Sequence, residues 1–430
     1  MKKIAAIIFG LLMTATSFAC GGESKMPEYT DDKVMEIGAF SAPDPTRESY
    51  ETLAASGINH IYLNDRGGAI KGNDAYFQVL EWCEEFGIKA IVFMNNYPGN
   101  VDSYQIDNDE FKKYSAFSGF NFYDEPTSQH FDLIRDYIQP FETYYPDHTF
   151  FVNLFPSYAP VSALGFDSYE EYVESFCKDI LSKLKGKKQL SVDYYPLMTR
   201  GGEPYLKEGW LRNLEITAEL GKQYDAEVHY FIQSTDFGSE RRAPTEADFR
   251  FQSYVCMAYG VRALSHFNYQ SGEGGEFRPG QTGLIDTSGN KTERYEAASA
   301  VNHELLAFDH VYLSFEYLET MPVVGKNTVS TNNNFYNLMN PAESLGGISA
   351  AEAEEDALIG SFRDGDGNLG YLAVNFTDPA QELSNRVSLN IKNKKKALVY
   401  RGGVRSVVNL KDGILDLNLA SGEGVFVIPF

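Results

Sequence analysis

An α/β chain built as a (β/α)8 TIM barrel followed by a C-terminal all-β sandwich is what this sequence predicts, on three observations. From residue 34 onward, short β-like runs alternate with amphipathic helical ones. Most of those runs end in polar residues. Beyond about residue 310 the alternation gives way to short strands alone.

The strand-like runs are MEIGAF (35–40), HIYLND (60–65), KAIVFMNN (89–96), GFNFYDE (119–125), TFFVNLF (149–155), LSVDYYP (190–196), VHYFIQST (228–235) and ALSHFNYQ (263–270). Helical stretches such as TRESYETLAASG, SYEEYVESFCKDILSKL and TEADFRFQSYVCMAYG lie between them, several with an N-cap residue in front and a glycine behind. A last one, TERYEAASAVNHELLAF, follows the eighth strand. Eight strand–helix units over about 275 residues match a closed parallel barrel. The alternative is a doubly wound open sheet, but no GxGxxG follows the first strand.

Past the barrel, ALIGSFRDGDGNLGYLAVNFTD reads as two strands across a Gly-rich turn, and VSLNI, KALVYR, SVVNL, ILDLNL and EGVFVIPF read as further strands. In DGDGNLG, Asp364, Asp366 and Asn368 imitate a calcium loop. Leu369 stands where such a loop needs Gly and Asn375 where it needs Glu, so a hairpin turn is expected and no metal site. The predicted organisation is a signal peptide over 1–19, a lipidated Cys20 with a tether to residue 33, a barrel over 34–310 and a β-sandwich over 311–430.

The leader rests on Lys2 and Lys3, on an apolar stretch from Ile4 to Met13 too short to span a bilayer, and on Ser-Phe-Ala-Cys ending at Cys20. The expectation is export and a lipid anchor on the outer membrane or cell surface; soluble periplasmic secretion is the alternative. Cys83, Cys177 and Cys256 have no metal-ligand spacing and sit in amphipathic stretches, so they are expected to be buried. A formal charge of −23 excludes a nucleic-acid backbone as ligand and suits a neutral polar one. No cofactor is expected.

The strand ends carry the functional signal, because barrel sites are built from the loops and residues at the C-terminal ends of the strands. Asp65, Asn95, Asp124, Glu125, Asn153, Asp193, Gln233 and His266 all occupy such ends. Strand alternation sorts them further. Glu125 shares a face with Tyr123, Asn121 and Gly119, and so is expected in the barrel mouth. Asp124 shares a face with Phe122 and Phe120 and is expected behind it. Asp193 groups with Ser191 and Tyr195 and points inward. Two inward carboxylates suit glycosidic-bond cleavage, where one protonates the leaving oxygen and the other activates water or attacks carbon.

GFNFYDEP is similar to the strand-four motif of the large retaining clan of barrel glycoside hydrolases that includes many β-galactosidases and cellulases. GLIDTSGNKTERYEAASAVNHELLAF resembles the eighth unit of β-galactosidase-like barrels. The resemblance implies that Glu125 is the general acid/base, with Asp124 standing where the motif usually has Asn. The seventh strand departs from the pattern, since Gln233 replaces the nucleophilic Glu. The second carboxylate is then Asp193, or Glu273 or Glu276 in the Gly-rich loop, and with Asp193 as base the expected outcome is inversion.

A carbohydrate is the expected partner, with Tyr123, Tyr195, Trp210, Phe267 and Tyr269 suited to stacking on sugar rings and Asn95, Asn153, Gln233 and His266 to holding hydroxyls. The reading is an exported glycoside hydrolase. Its alternative is an inactive barrel that binds carbohydrate at the cell surface.

Overall fold

The computed structural model describes residues 26–63, 72–93, 109–270, 277–278, 280–328 and 333–430. Cys20, Asp65, Asn95, Glu273 and Glu276 lie outside the described residues.

Eight parallel strands close into a barrel: β1 (Glu36–Phe40), β2 (His60–Leu63), β3 (Lys89–Phe93), β4 (Phe117–Asp124), β5 (Thr149–Leu154), β6 (Gln189–Asp193), β9 (Glu227–Gln233) and β10 (Ala263–Phe267), with β10 pairing back onto β1. Each predicted run overlaps one of them. A feature the sequence reading did not anticipate is the antiparallel hairpin of β7 (Leu197–Arg200) and β8 (Glu203–Leu206), inserted between the sixth and seventh barrel strands.

The barrel interior is filled by side chains. Tyr62, Ile91, Phe151, Phe231 and Tyr195 form an aromatic-rich layer with Phe237 above them. Gly38 makes room for it, because a Cβ there would stand 2.2 Å from the Ser265 Oγ and 3.1 Å from the Tyr62 ring. The outward faces of the strands pack under the helices in one continuous core. All three described cysteines are buried free thiols within it, and burial pushes their pKa values up.

The C-terminal region is a sandwich of a six-stranded and a three-stranded antiparallel sheet. The larger runs in the order β11 (Phe315–Val323), β13 (Ala357–Asp364), β14 (Leu369–Asn375), β19 (Gly424–Pro429), β16 (Lys396–Arg401), β17 (Val404–Asn409). The smaller runs β12 (Ile348–Ala353), β15 (Asn385–Ile391), β18 (Ile414–Leu419). Strands β11 and β12 were not among the predicted runs. The Asp364 turn is a hairpin: one carboxylate oxygen accepts the amides of Asp366 and Asn368, and the other accepts the Tyr29 hydroxyl and the Asn368 amide.

One face of the sandwich lies directly on the barrel helix Glu246–Ala258. That helix starts at a capping box between Thr245 and Asp248 and is buried on nearly every side. Gly424 and Gly360 permit the approach, since a Cβ at either would meet the Tyr254 ring at 2.3 Å or the Ala258 carbonyl oxygen at 2.4 Å.

Arg242 rivets the contact, with one arm 2.5 Å from Asp248 at the helix start and the other 2.7 Å from Asp378 of the sandwich. Removing the guanidinium leaves two buried carboxylates without their cation. Arg242→Ala is therefore expected to cost about 3 kcal/mol of unfolding free energy, measured by urea denaturation.

Candidate functional site

The site begins with an irregularity in β4. Asn121 pairs with Phe151 of β5, yet Tyr123 pairs with Val152 and Asp124 with Asn153. One residue of β4 is therefore extra, and side-chain parity reverses past it. Phe120 and Phe122 point outward as expected, and Phe122 stacks on Phe150 at 3.9 Å between ring centroids. Tyr123 then also leaves the barrel interior and stacks on His130 at 4.5 Å. Asp124 points inward instead of sitting behind the site. This corrects the parity expectation for both residues. Glu125 adopts a left-handed backbone at φ 52°, with its amide donating to the Asn153 carbonyl at 2.8 Å. A non-glycine residue held in that conformation stores roughly 1–3 kcal/mol of strain, the kind found at binding and active sites.

Asp124, Glu125 and Asp193 line one cavity of about 310 Å³ at the C-terminal end of the strands. Aromatic and apolar residues share its lining with these carboxylates, Phe40, Phe231 and Phe267 from the barrel and Phe155, Pro156 and Tyr158 from the loop after β5. Asp193 is buried, and one of its carboxylate oxygens has no hydrogen-bond partner among the described residues. Burial and the negative charge of Asp124 push its pKa up to about 7, against a hydrogen bond from Tyr195 that favours the ionised form. The site therefore holds two interacting carboxylates, and Asp193 holds its proton well above the ordinary carboxylate range, an arrangement suited to acid–base chemistry.

A polar column beneath the cavity fixes Asp124. Asn153 donates its amide to the Asp124 carboxylate at 3.3 Å and accepts the Ser191 hydroxyl at 2.8 Å. The His229 Nδ1 lies 2.8 Å from that same hydroxyl, and its Nε2 lies 2.7 Å from the Ser265 hydroxyl. With the Ser191 proton committed to Asn153, His229 must carry its own on Nδ1 and accept at Nε2. Burial lowers its pKa to about 4, so the ring is neutral. The Tyr62 hydroxyl touches the same ring at 3.2 Å and donates to Glu36 at 3.0 Å. Burial alone would raise the Glu36 carboxyl, but His60 and Lys187 bring it down to about 2.

The remaining predicted residues divide. Asn153, Tyr195 and Phe267 line the cavity. Trp210 does not; it is buried at the start of a helix against Phe251 and Phe376, under the sandwich. Tyr269 is likewise buried in the main core, away from the cavity. His266 faces outward, bonded to the Ser234 hydroxyl at 2.8 Å and the Asn302 amide oxygen at 2.9 Å. Gln233 is consumed by main chain. Its oxygen accepts the Leu197 amide at 3.2 Å, and its nitrogen donates to the Leu197 and Arg242 carbonyls at 3.2 and 2.7 Å. It clips the inserted hairpin to the barrel and offers nothing to a ligand. Sequence reasoning missed Tyr158 and Arg241, which lie in loops without a periodic signal.

No protein-family model and no curated protein matches the chain. Solved structures share its fold. A family 39 glycoside hydrolase from the gut symbiont Bacteroides cellulosilyticus aligns at 14% identity with a TM-score of 0.50, over 94% of this chain and 83% of that one. A family 27 β-L-arabinopyranosidase from Geobacillus stearothermophilus aligns at 11% identity with a TM-score of 0.50, over 93% of this chain and 97% of that one. The architecture of a TIM barrel carrying a C-terminal β-sandwich is common to them.

The electrostatics of the pair are open to direct measurement. Asp193 is expected to titrate near pH 7 in carboxyl 13C NMR. Asp124→Asn removes the neighbouring charge and moves that titration to lower pH. Tyr195→Phe removes a bond to the ionised form and moves it to higher pH. A resonance that titrates in the ordinary carboxylate range in all three proteins would refute the coupling.

Proposed function

We propose that the chain is a glycoside hydrolase cleaving O-glycosidic bonds in an oligo- or polysaccharide, with Asp193 as proton donor and Asp124 as its ionised partner. The observation that carries this reading is the pair itself: two neighbouring carboxylates at the mouth of a barrel, the charge of one helping burial to raise the other to about 7, facing a cavity partly walled by aromatic rings. Both fold relatives named above are glycoside hydrolases by description, which supports the reading at the level of reaction class.

In this mechanism the Asp193 carboxyl gives its proton to the leaving oxygen as the bond to the anomeric carbon breaks. Asp124 either attacks that carbon or draws a proton from an attacking water, depending on the separation between the carboxyl groups in the complex. The column through Asn153 and Ser191 holds Asp124 at a fixed angle, so little reorganisation accompanies the step. Glu125 borders Tyr158 and Tyr195, and its assigned role is to hold substrate hydroxyls. The proton-donor role expected for it from the sequence passes to Asp193 in this proposal.

Gln233 favours one second reading, a barrel that binds carbohydrate without cleaving it, because no carboxylate occupies the end of the seventh strand. Turnover on a broad panel of glycans separates the two readings, and calorimetric binding without turnover would select the second. For the hydrolase, Asp193→Asn and Asp124→Asn should each lower kcat/KM on the order of 10³-fold, and Glu125→Gln considerably less. Near-normal turnover by Asp193→Asn would return the donor role to Glu125.

Export with a lipid anchor at Cys20 belongs to the same proposal. No described helix is long and apolar enough to cross a membrane. Cys20→Ser is expected to move the protein from the membrane fraction to the soluble one. A wild-type protein found wholly soluble, with residue 20 unmodified, would rule out the anchor.

A further inference from the structure

Two cations gather about Tyr158 of the cavity wall, one lining the cavity itself and the other over the tyrosine ring. Arg241 lines the cavity, its guanidinium carbon 4.1 Å from the centre of the Phe237 ring and 5.8 Å from that of Tyr195. It reaches the Tyr158 hydroxyl at 3.5 Å, while its Nε is buried with no hydrogen-bond partner among the described residues. Lys207, from the end of the inserted hairpin, places its ammonium 4.0 Å over the Tyr158 ring. Among the described residues, neither cation has a carboxylate within ion-pair distance.

This arrangement is costly without a ligand. Burial lowers the Lys207 pKa, and the charge of Arg241 lowers it further, although Glu240 opposes the shift. An arginine stacked on an aromatic face keeps the terminal nitrogens of its edge available for an acceptor, and a buried unpaired N–H leaves the guanidinium short of partners. Tyr158 adds a hydroxyl beside it.

Building on the hydrolase reading, we propose that the substrate is an anionic carbohydrate, with a uronate carboxylate or a sulfate ester held by Arg241, Lys207 and Tyr158 on a sugar next to the scissile bond. The net charge of −23 does not oppose this. Its field is screened over about 8 Å at physiological ionic strength, whereas the rim cations act at contact. The neutral ligand expected from composition alone gives way to a local feature that composition averages out. Arg241 also lowers the Asp193 pKa, so the cation that recognises the substrate lies close enough to act on the proton donor.

The test is a matched panel of 4-nitrophenyl glycosides: glucoside, glucuronide and glucoside 6-sulfate, with the corresponding galactose series, each as both anomers. An anionic member of a series is expected to exceed its neutral counterpart at least tenfold in kcat/KM, and the better anion identifies carboxylate or sulfate as the group. Arg241→Leu should bring that ratio towards one. Arg241→Lys should restore it in part, with circular dichroism confirming that both variants fold. Equal or greater turnover of the neutral members by the wild type overturns the inference and leaves the hydrolase reading standing. Turnover of none, here and on the broad glycan panel, removes the hydrolase reading instead. Calorimetric titration with oligogalacturonate, dextran sulfate and neutral dextran then judges anion recognition separately, and binding of neither anionic polymer overturns it.

Discussion

One extra residue in the fourth strand governs the site. A parallel strand in a closed barrel has little freedom, because both neighbours fix its register and its two faces see different environments. The residue inserted between Asn121 and Tyr123 spends that constraint locally. Below it, Phe120 and Phe122 serve the outer core. Above it, Asp124 turns into the cavity and Tyr123 turns out to His130. Without the shift, Tyr123 would occupy the mouth, Asp124 would be stranded among the phenylalanines under the helices, and Asp193 would lose the negative charge that raises its pKa.

Beneath that irregularity the barrel is ordered by hydrogen-bond direction. Asn153 serves Asp124 and Ser191 at once by donating to the carboxylate and accepting the hydroxyl, and a neutral His229 that donates at Nδ1 and accepts at Nε2 completes that arrangement through Ser265. The result is an amide whose nitrogen faces Asp124 rather than its oxygen. The same logic removes Gln233 from the chemistry. Its amide has one donor for each of two carbonyls and an oxygen for one amide, a match a carboxylate at that position would not reproduce.

Much of the architecture was legible because barrel strands are short, buried and regularly punctuated, so all eight were located from local pattern. The inward placement of Asp193 and Tyr195 followed from alternation, which held because β6 pairs without a register shift. Alternation failed at Asp124 and Tyr123, where nothing in GFNFYDEP announces an extra residue. Applied to β10, the same rule would have turned His266 outward, since Ser265 and Phe267 face the interior. Trp210 and Gln233 were misplaced for a different reason. Their surroundings are supplied by segments far along the chain, the sandwich for one and the inserted hairpin for the other. Arg241 and Tyr158 lie in loops, where only the assembled structure brings them together.

The Arg242 rivet has a consequence for when the pocket comes into being. Its carbonyl holds Gln233, its neighbour Arg241 lines the cavity, and its side chain is secured by Asp378, a residue 136 positions later. As the chain emerges from N- to C-terminus, the barrel strands are complete well before the last support of the rim arrives. The rim of the cavity is thus a late product of folding, and a nascent or truncated chain carries the strands of the barrel without a finished mouth.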